Sequence, residues 1–394
     1  MLKVLTVIGA RPQIIKAAAF SRAIKKAFSK DITEVIVHTG QHYDANMSDV
    51  FFEELQIPKP SYNLSIGSMS HGKQTAGMIS GIEDILLQEK PDCILVYGDT
   101  NSTLAAAIAG SKIHIPIVHV EAGLRSFNKS MPEEINRIMC DHVSTLLMIP
   151  TESARINLKN EGFSEKESDK NADINQPVII HSGDVMYDNS MYFAELAKKI
   201  EKVQGIELTS KPYLLATIHR DNNTDQAERL NALFKAFNRI SQENQIQIIL
   251  PLHPRTAKLL ESKLSEEIFR ETRNNSLIKL IEPASFIEIT ALEMHAEMLI
   301  TDSGGLQKES FFFKKPCIIL RPETEWIELV SNGNAIIADA DTDKIYEAYQ
   351  HFKNNSQQLS YPAFYGDGHA AEKICQAIID HFSKTNAYVY MDIN

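Results

Sequence analysis

The sequence predicts an α/β protein made of two doubly wound, Rossmann-like halves, and three observations carry that prediction. Short β-rich runs alternate with helix-length patterns along nearly the whole chain, as βαβ units around parallel sheets do. The alternation is interrupted once, by the polar and charged stretch "EKESDKNADINQ" at 165–176, and then resumes. The carboxyl ends of the β-rich runs, where parallel α/β sheets place their ligands, carry acids, histidines, arginines and glycines.

Taken in order, "KVLTVIG" reads as a strand and "IIKAAAFSRAIKKAF" as a helix with apolar residues at helical spacing. "EVIVHTG", "CILVYGD", "PIVHVEAG" and "LLMIPT" follow as strands, with helix-length segments between them. After the polar excursion comes "PVIIHSGD", which closes a first domain at 1–183. A second cycle of strands then reads "YLLATIH", "IQIILPLH", "SLIKLIEP", "EMLITDS", "PCIILRP" and "NAIIADA", giving a second domain at 184–369. The last helical pattern, "GHAAEKICQAIIDHF", is expected to lean back onto the first half, so that 370–394 joins it. A functional cleft is expected between the halves.

Bulk composition narrows the function. A 394-residue chain with 43% hydrophobic and 23% charged residues has the make-up of a soluble globular protein with two domains. Its net charge of −11 argues against a general nucleic-acid or anionic-membrane binder, so an anionic ligand needs a local basic pocket. Cys93, Cys140, Cys317 and Cys375 are far apart and form no CxxC pair, the pattern of buried thiols in a reducing cytoplasm. The start "MLKVLTVIGARPQ" lacks the features of a signal peptide, and no apolar run approaches the ~20 residues of a membrane span.

The richest strand end is "LITDSGGLQKES" at 299–310. Its glycines let backbone approach a ligand, and the helix start that follows offers free N–H groups to a phosphate or diphosphate. Ser303, Gly304 and Gly305 are candidates for that contact. Glu309, an acceptor when ionised, suits the two hydroxyls of a ribose. Arg11 and Lys16 flank the first helix start, and His219, Arg220, His253, Arg255 and Arg321 stand at strand ends of the second half, where guanidinium forks would serve a diphosphate. Any one of them could equally be a surface ion pair.

Three carboxylates stand out in the first half. Asp99 and Glu121 directly follow apolar strands, and Glu133 opens a helix after Pro132. Neighbouring carboxylates split their pKa values, so one can be an acid while another is a base. Glu133, and still more Glu134, could instead merely stabilise a helix N-terminus. His119 lies two residues before Glu121, but there is no HExxH, Cys/His quartet or DxD pair to support a metal. "GSMSHGKQ" at 67–74 imitates a phosphate-binding loop but ends in Gln where Ser or Thr would ligate magnesium, and reads as a surface loop or helix start. The absence of G-x-G-x-x-G leaves a tightly held NAD without support.

Together, "GARPQIIK", "TGQHYD", "VYGDTNSTLAAA", "HVEAGLRSF", "PEEINR", "PTESARINL", "ITDSGGLQKE" and "YGDGHAA" resemble the non-hydrolysing UDP-N-acetylglucosamine 2-epimerase family over nearly the whole chain. The resemblance implies two domains of the glycosyltransferase-B type, an isomerase of UDP-2-acetamido sugars without metal or nicotinamide cofactor, and a cytoplasmic homodimer serving surface polysaccharide synthesis. By motif, Arg11, Asp99, Glu121, Glu133 and His219 fall at catalytic or sugar-adjacent positions. Lys16, Arg137, His253, Arg255 and Arg321 join the substrate-binding set. Ser303, Gly304, Gly305 and Glu309 fall at the diphosphate and ribose positions, and Phe286 where the family places the uracil. The sequence departs from common members at "TIHRDNN", where "GHRRE" is usual, and at "ETEWIE", where "TTERPE" is usual. The loop "HYDANMSDVFF" also lacks the glutamines with which some bacterial members bind an activating UDP-N-acetylglucosamine. All three departures look like the branch acting on UDP-2,3-diacetamido-2,3-dideoxyglucuronate. A UDP-sugar glycosyltransferase of the same fold and a non-catalytic UDP-sugar sensor are the more distant alternatives. Which carboxylate is the base stays open at this level.

Overall fold

The structure is a computed structural model that describes residues 1–41, 57–67, 69–164, 172–252 and 254–383. The loop quoted above at 42–52 and His253 therefore lie outside the described residues. The chain divides into two compact units, one formed by Met1–Asn189 with Ala363–Asn394 and the other by Ser190–Pro362.

In the first unit, β1 (Leu2–Ile8), β2 (Ile32–His38), β3 (Tyr62–Asn63), β4 (Cys93–Tyr97), β5 (Ile117–Val120), β6 (Leu146–Ile149) and β7 (Val178–His181) make one sheet in the order β3-β2-β1-β4-β5-β6-β7. Every pairing is parallel. Parallel strands covered on both faces read as continuous apolar runs, and "CILVY" of β4 is buried throughout for that reason. One face packs Leu5, Val7, Ile94 and Val96 against Met78, Ile82 and the alanines 105–107 and 109. Those alanines lie on helix Asn101–Lys112, whose small residues let it approach the sheet closely and whose first turn is capped by Thr100. The "GSMSHGKQ" stretch contains the N-terminus of helix His71–Glu89.

On this unit the last helix, Ala370–Phe382, packs against the first helix, Arg11–Ala23, and its continuation Ile24–Phe28. Asp188 caps it by accepting from the Ala370 and Ala371 amides at 3.0 and 2.7 Å. Gly183 meets Tyr365 and Gly366 so closely that a Cβ there would lie 2.7 Å from the Tyr365 carbonyl oxygen.

In the second unit, β8 (Lys202–Val203) and β9 (Ile206–Glu207) form a small antiparallel ribbon. The main sheet contains β10 (Tyr213–Thr217), β11 (Gln247–Pro251), β12 (Ile278–Ile281), β13 (Met298–Thr301), β14 (Cys317–Ile319) and β15 (Ala335–Ile337), in the order β12-β11-β10-β13-β14-β15. All of its pairings are parallel. Phe234 and Phe237 of helix Ala227–Asn244 and Phe352 of helix Thr342–Asn355 fill the core against Leu214, Ile248 and Ile300. Each sheet thus reverses its strand order once, between β1 and β4 and between β10 and β13. At such a switch the loops leaving the strand ends diverge and open a crevice for ligand.

Candidate active site

At the first switch point the acids are held by cations. Lys16, on the second turn of helix Arg11–Ala23, makes a short ion pair with Glu121, and both side chains are largely buried. Glu121 ends β5 with φ +69°, a left-handed conformation that ordinarily costs a non-glycine residue about 1–3 kcal/mol. The backbone is fixed there because the Glu121 and Ala122 amides both donate to the Met148 carbonyl, at 3.1 and 3.2 Å. Gly98 (φ +62°) passes beside the pair: a Cβ on it would lie 3.2 Å from Glu121 Oε2 and 3.3 Å from Lys16 Nζ. Glycine therefore serves both the turn and the close approach. Asp99 comes next and pairs with Arg137 Nη2 at 2.5 Å, while Asn136 donates to its carbonyl at 2.8 Å.

Beneath these loops lies a buried ionic network. His119 Nε2 meets the Gly98 carbonyl at 2.8 Å and Nδ1 meets Asp141 at 2.6 Å. A ring that serves two acceptors must carry both protons. Burial opposes that charge, but the fields and hydrogen bonds of Cys140 and Asp141 overcome it and hold the imidazolium pKa well above a free histidine's. Asp141 also accepts from the Gly123 amide at 3.0 Å and pairs with Arg125 at 2.7 Å. Burial alone would raise its carboxyl pKa; His119 and Arg125 outweigh it and push the value below the usual range. Arg125 in turn forks onto Glu161, with both bonds at 2.7 Å. One carboxylate, Asp141, thus ties the turn carrying Asp99, through His119, to the turn that follows Glu121.

Glu133 and Glu134 part company on helix Pro132–Val143. Glu133 is exposed, whereas Glu134 is buried and accepts from the Ser126 and Phe127 amides, each at 2.9 Å, and from Arg137. Burial would raise the Glu134 pKa, and these bonds lower it instead. Arg137 therefore bridges Glu134 to Asp99. Arg11 is exposed at the helix start.

At the second switch point the arrangement is different. Asp302 is fully buried and accepts from the His219 and Arg220 amides and from Asn223 Nδ2, at 3.0–3.2 Å, which locks the end of β10 to that of β13. The His219 ring is more than half exposed, with Nδ1 3.2 Å from Asp302. Ser303 caps helix Gly304–Phe312 through the Leu306 amide. At Gly304 a Cβ would lie 2.4 Å from Glu325 Oε1. The Gly304 carbonyl accepts from the Trp326 indole at 2.9 Å, and Lys308 lies over the Trp326 ring at 4.2 Å. Arg321 pairs with Glu325 at 2.9 Å, whereas Arg255 is spent on Asp221 and Asp225 at the surface. Phe286 opens helix Phe286–His295, half-buried, with its ring 4.8 Å from that of Phe193. Glu309 faces inward, 7% exposed, two turns into its helix.

Ser303, Gly304, Gly305 and Glu309 thus share one helix start with Arg321 close by, and Lys16, Asp99, Glu121 and Arg137 share one strand edge. The sequence reading missed Asp141, Arg125 and Glu134 as organisers of the first edge, and it gave His119 no role beyond a rejected metal ligand. Among the described residues no group of three or more His, Cys, Asp or Glu is placed to hold a metal, and no helix is long and apolar enough to cross a membrane.

Comparison with known proteins agrees with the family and the fold read from the sequence. The model of the UDP-N-acetylglucosamine 2-epimerase family matches residues 24–379. The chain is 46% identical to the UDP-2,3-diacetamido-2,3-dideoxy-D-glucuronate 2-epimerase of Pseudomonas aeruginosa over 95% of its own length and 99% of that protein. It is also 46% identical to a UDP-N-acetylglucosamine 2-epimerase homolog of Methanococcus maripaludis, over 96% and 99% of the two chains. Among solved structures, the Methanocaldococcus jannaschii UDP-GlcNAc 2-epimerase in complex with UDP-GlcNAc and UDP superposes with a TM-score of 0.78 at 40% identity, covering 96% and 99% of the chains.

Proposed function

The chain belongs to the UDP-N-acetylglucosamine 2-epimerase family, and on that premise we propose that it inverts C2 of a UDP-2-acetamido sugar, converting UDP-N-acetylglucosamine to UDP-N-acetylmannosamine. The C2 hydrogen of such a sugar is not next to a carbonyl, so direct deprotonation is prohibitive. Departure of UDP first gives C1 oxocarbenium character and makes the C2 proton removable. The product is a 2-acetamidoglucal; protonation from the opposite face and return of UDP give the epimer.

The observation that carries this reading is the pair of acids at adjacent strand ends, Asp99 and Glu121, each held by one cation, with Glu121 in a conformation that the surrounding bonds must enforce. Such groups suit proton transfer at C2, with Glu133 and His219 as the further acid–base candidates. Ser303, Gly304, Gly305 and Arg321 suit the diphosphate, Glu309 the ribose and Phe286 the base. Arg11 completes the proposed substrate set, and Arg255 joins it only by exchanging Asp221 and Asp225 for the substrate. Arg137 acts in it through its hold on Asp99.

A second substrate is favoured by one finding. The 46% identity to the diacetamidoglucuronate epimerase equals that to the Methanococcus maripaludis UDP-N-acetylglucosamine 2-epimerase homolog and exceeds the 40% to the Methanocaldococcus jannaschii UDP-N-acetylglucosamine enzyme. Incubating the protein with each UDP-sugar alone, without any acceptor, and following the anomeric protons by NMR tests the reading. Turnover without acceptor supports an epimerase and its rate on each sugar assigns the substrate; no turnover of either overturns the proposal. We place the enzyme in the cytoplasm, as a homodimer serving surface polysaccharide synthesis. Four buried free thiols support a reducing compartment.

A further inference from the structure

Glu293 lies on helix Phe286–His295, away from every motif quoted above, in the apolar setting "ITALEMH". Its side chain is 1% exposed, and neither carboxyl oxygen has a hydrogen-bond donor in ordinary geometry among the described residues. A buried carboxylate left that way would be strongly unfavourable. The group that acts on it, by charge and by hydrogen bonding, is another carboxyl: Glu309, on the neighbouring helix Gly304–Phe312. Lys308, next to Glu309 in the chain, is directed to the Trp326 ring.

Two buried carboxyl groups within reach of one another cannot both be ionised; the pair keeps one proton and titrates as a unit. The question is which group holds it. Glu309 is the one on the helix that begins at the ligand loop, and an acceptor of hydroxyl protons must be the ionised partner. Burial, and then the charge and hydrogen bonding of Glu309, push the Glu293 pKa well above the carboxylate range, in the same sense. Another titratable group acting here is Tyr213 on β10, whose hydroxyl donates to the Leu292 carbonyl at 2.7 Å and is itself pushed up by burial and by Glu293.

We infer that Glu293 is a positioning residue of the nucleotide subsite: as a neutral acid it donates the proton that the carboxyl pair shares, and so orients Glu309 to accept both hydroxyls of the ribose. This rests on the reading that the 302–309 loop holds UDP. No covalent bond is made or broken in this role; one proton stays on Glu293 while the ribose hydroxyls donate to Glu309. While the folded pair holds that proton, nucleotide affinity is retained, and it falls as pH rises through the raised pKa of Glu293.

Titration calorimetry with UDP as the probe, across a range of pH, decides the matter for the full-length protein and three variants. Glu293→Gln keeps a neutral donor of the same shape: its UDP affinity should stay within about twofold of the parent at neutral pH and lose the alkaline decline. Glu293→Leu removes the donor and should weaken UDP by about tenfold. Infrared difference spectra of the parent against Glu293→Gln should show the loss of one protonated-carboxyl band at neutral pH, which decides the case even if the leucine variant does not fold. Parent-like affinity in Glu293→Leu, equal losses in both Glu293 variants, or no such band would each overturn the inference. In the third variant, Glu309→Ala, unchanged UDP affinity would instead overturn the nucleotide reading itself.

Discussion

At the switch point of the first sheet Glu121 faces Lys16, Asp99 faces Arg137, and beneath them Asp141 faces His119 and Arg125. At that of the second sheet, Asp302 is held by two backbone amides and an asparagine, and Glu309 acts on the buried carboxyl of Glu293. Topology is the same and the treatment of charge is opposite. Burial would raise the pKa of Asp141, and the cations paired with it lower it instead. On the proposed reading, Asp302, satisfied by amides, and the Glu293–Glu309 pair with its one shared proton line a hydroxyl-reading surface beside a helix N-terminus that favours a diphosphate. On that proposed reading, a fold repeated twice is given two chemistries by the residues at four strand ends.

The comparison breaks most decisively at Glu121. Glu121→Gln keeps the shape but removes a proposed proton-transfer group and the charge that Lys16 answers, so turnover should fall by about 10²–10⁴-fold while UDP affinity is unchanged. Rates by NMR and affinity by calorimetry measure the two separately. Equal losses in both would erase the division of labour between the sheets.

Asp141→Asn is the next largest effect, on stability. Removing one partner of a buried ion pair leaves His119 uncompensated and Arg125 with Glu161 alone, and should cost about 3–5 kcal/mol in chemical denaturation. The pH dependence has a definite sign. Asp141's folded pKa lies below its unfolded value, so its contribution is complete above about pH 4 and is lost as pH falls through the lower folded value. His119's lies above, so its contribution is complete below about pH 6.5 and is lost only as pH rises through the raised folded value. The variant should therefore lose the acid limb of the stability profile; an unchanged acid limb would contradict the assignment.

Glu309→Ala sharpens the other side. Loss of a buried acceptor for two hydroxyls should weaken UDP by about tenfold or more, with turnover falling through KM. The smallest effect is expected at Asp188, which caps the last helix. Burial raises its pKa to about 6, so the folded protein is stabilised by its protonated form, fully so below about pH 4, and that contribution is lost as pH rises through about 6. Asp188→Asn should flatten melting temperature across that window and leave turnover alone.

How much of this the sequence disclosed follows from where each residue sits. The strands were legible because buried parallel strands are unbroken apolar runs, as "CILVY" and "IVHV" are. Asp99, Glu121 and the 302–309 loop were legible because chemistry at a strand end stands out against such runs. Two-residue strands such as β3 and β8 carry no period to read. Asp141 and Glu293 were missed because a single acid within a helical pattern looks like a solvated face. The available signal was spacing: Glu134 and Asp141 lie seven residues apart, on one helix face, and both prove buried. Arg125 in "EAGLR" and His119 in "IVHV" acquire their roles only when the strands are placed side by side, which a linear pattern does not show.

The account stands most directly on the fate of the C2 hydrogen. Run to completion in deuterated water, with either UDP-sugar, every epimerised molecule should carry deuterium at C2, with occasional release of UDP and a 2-acetamidoglucal. That result follows if a side chain in exchange with solvent takes the C2 proton. Product that keeps its original hydrogen at C2 after full turnover would contradict the elimination mechanism and, with it, the role given to Glu121.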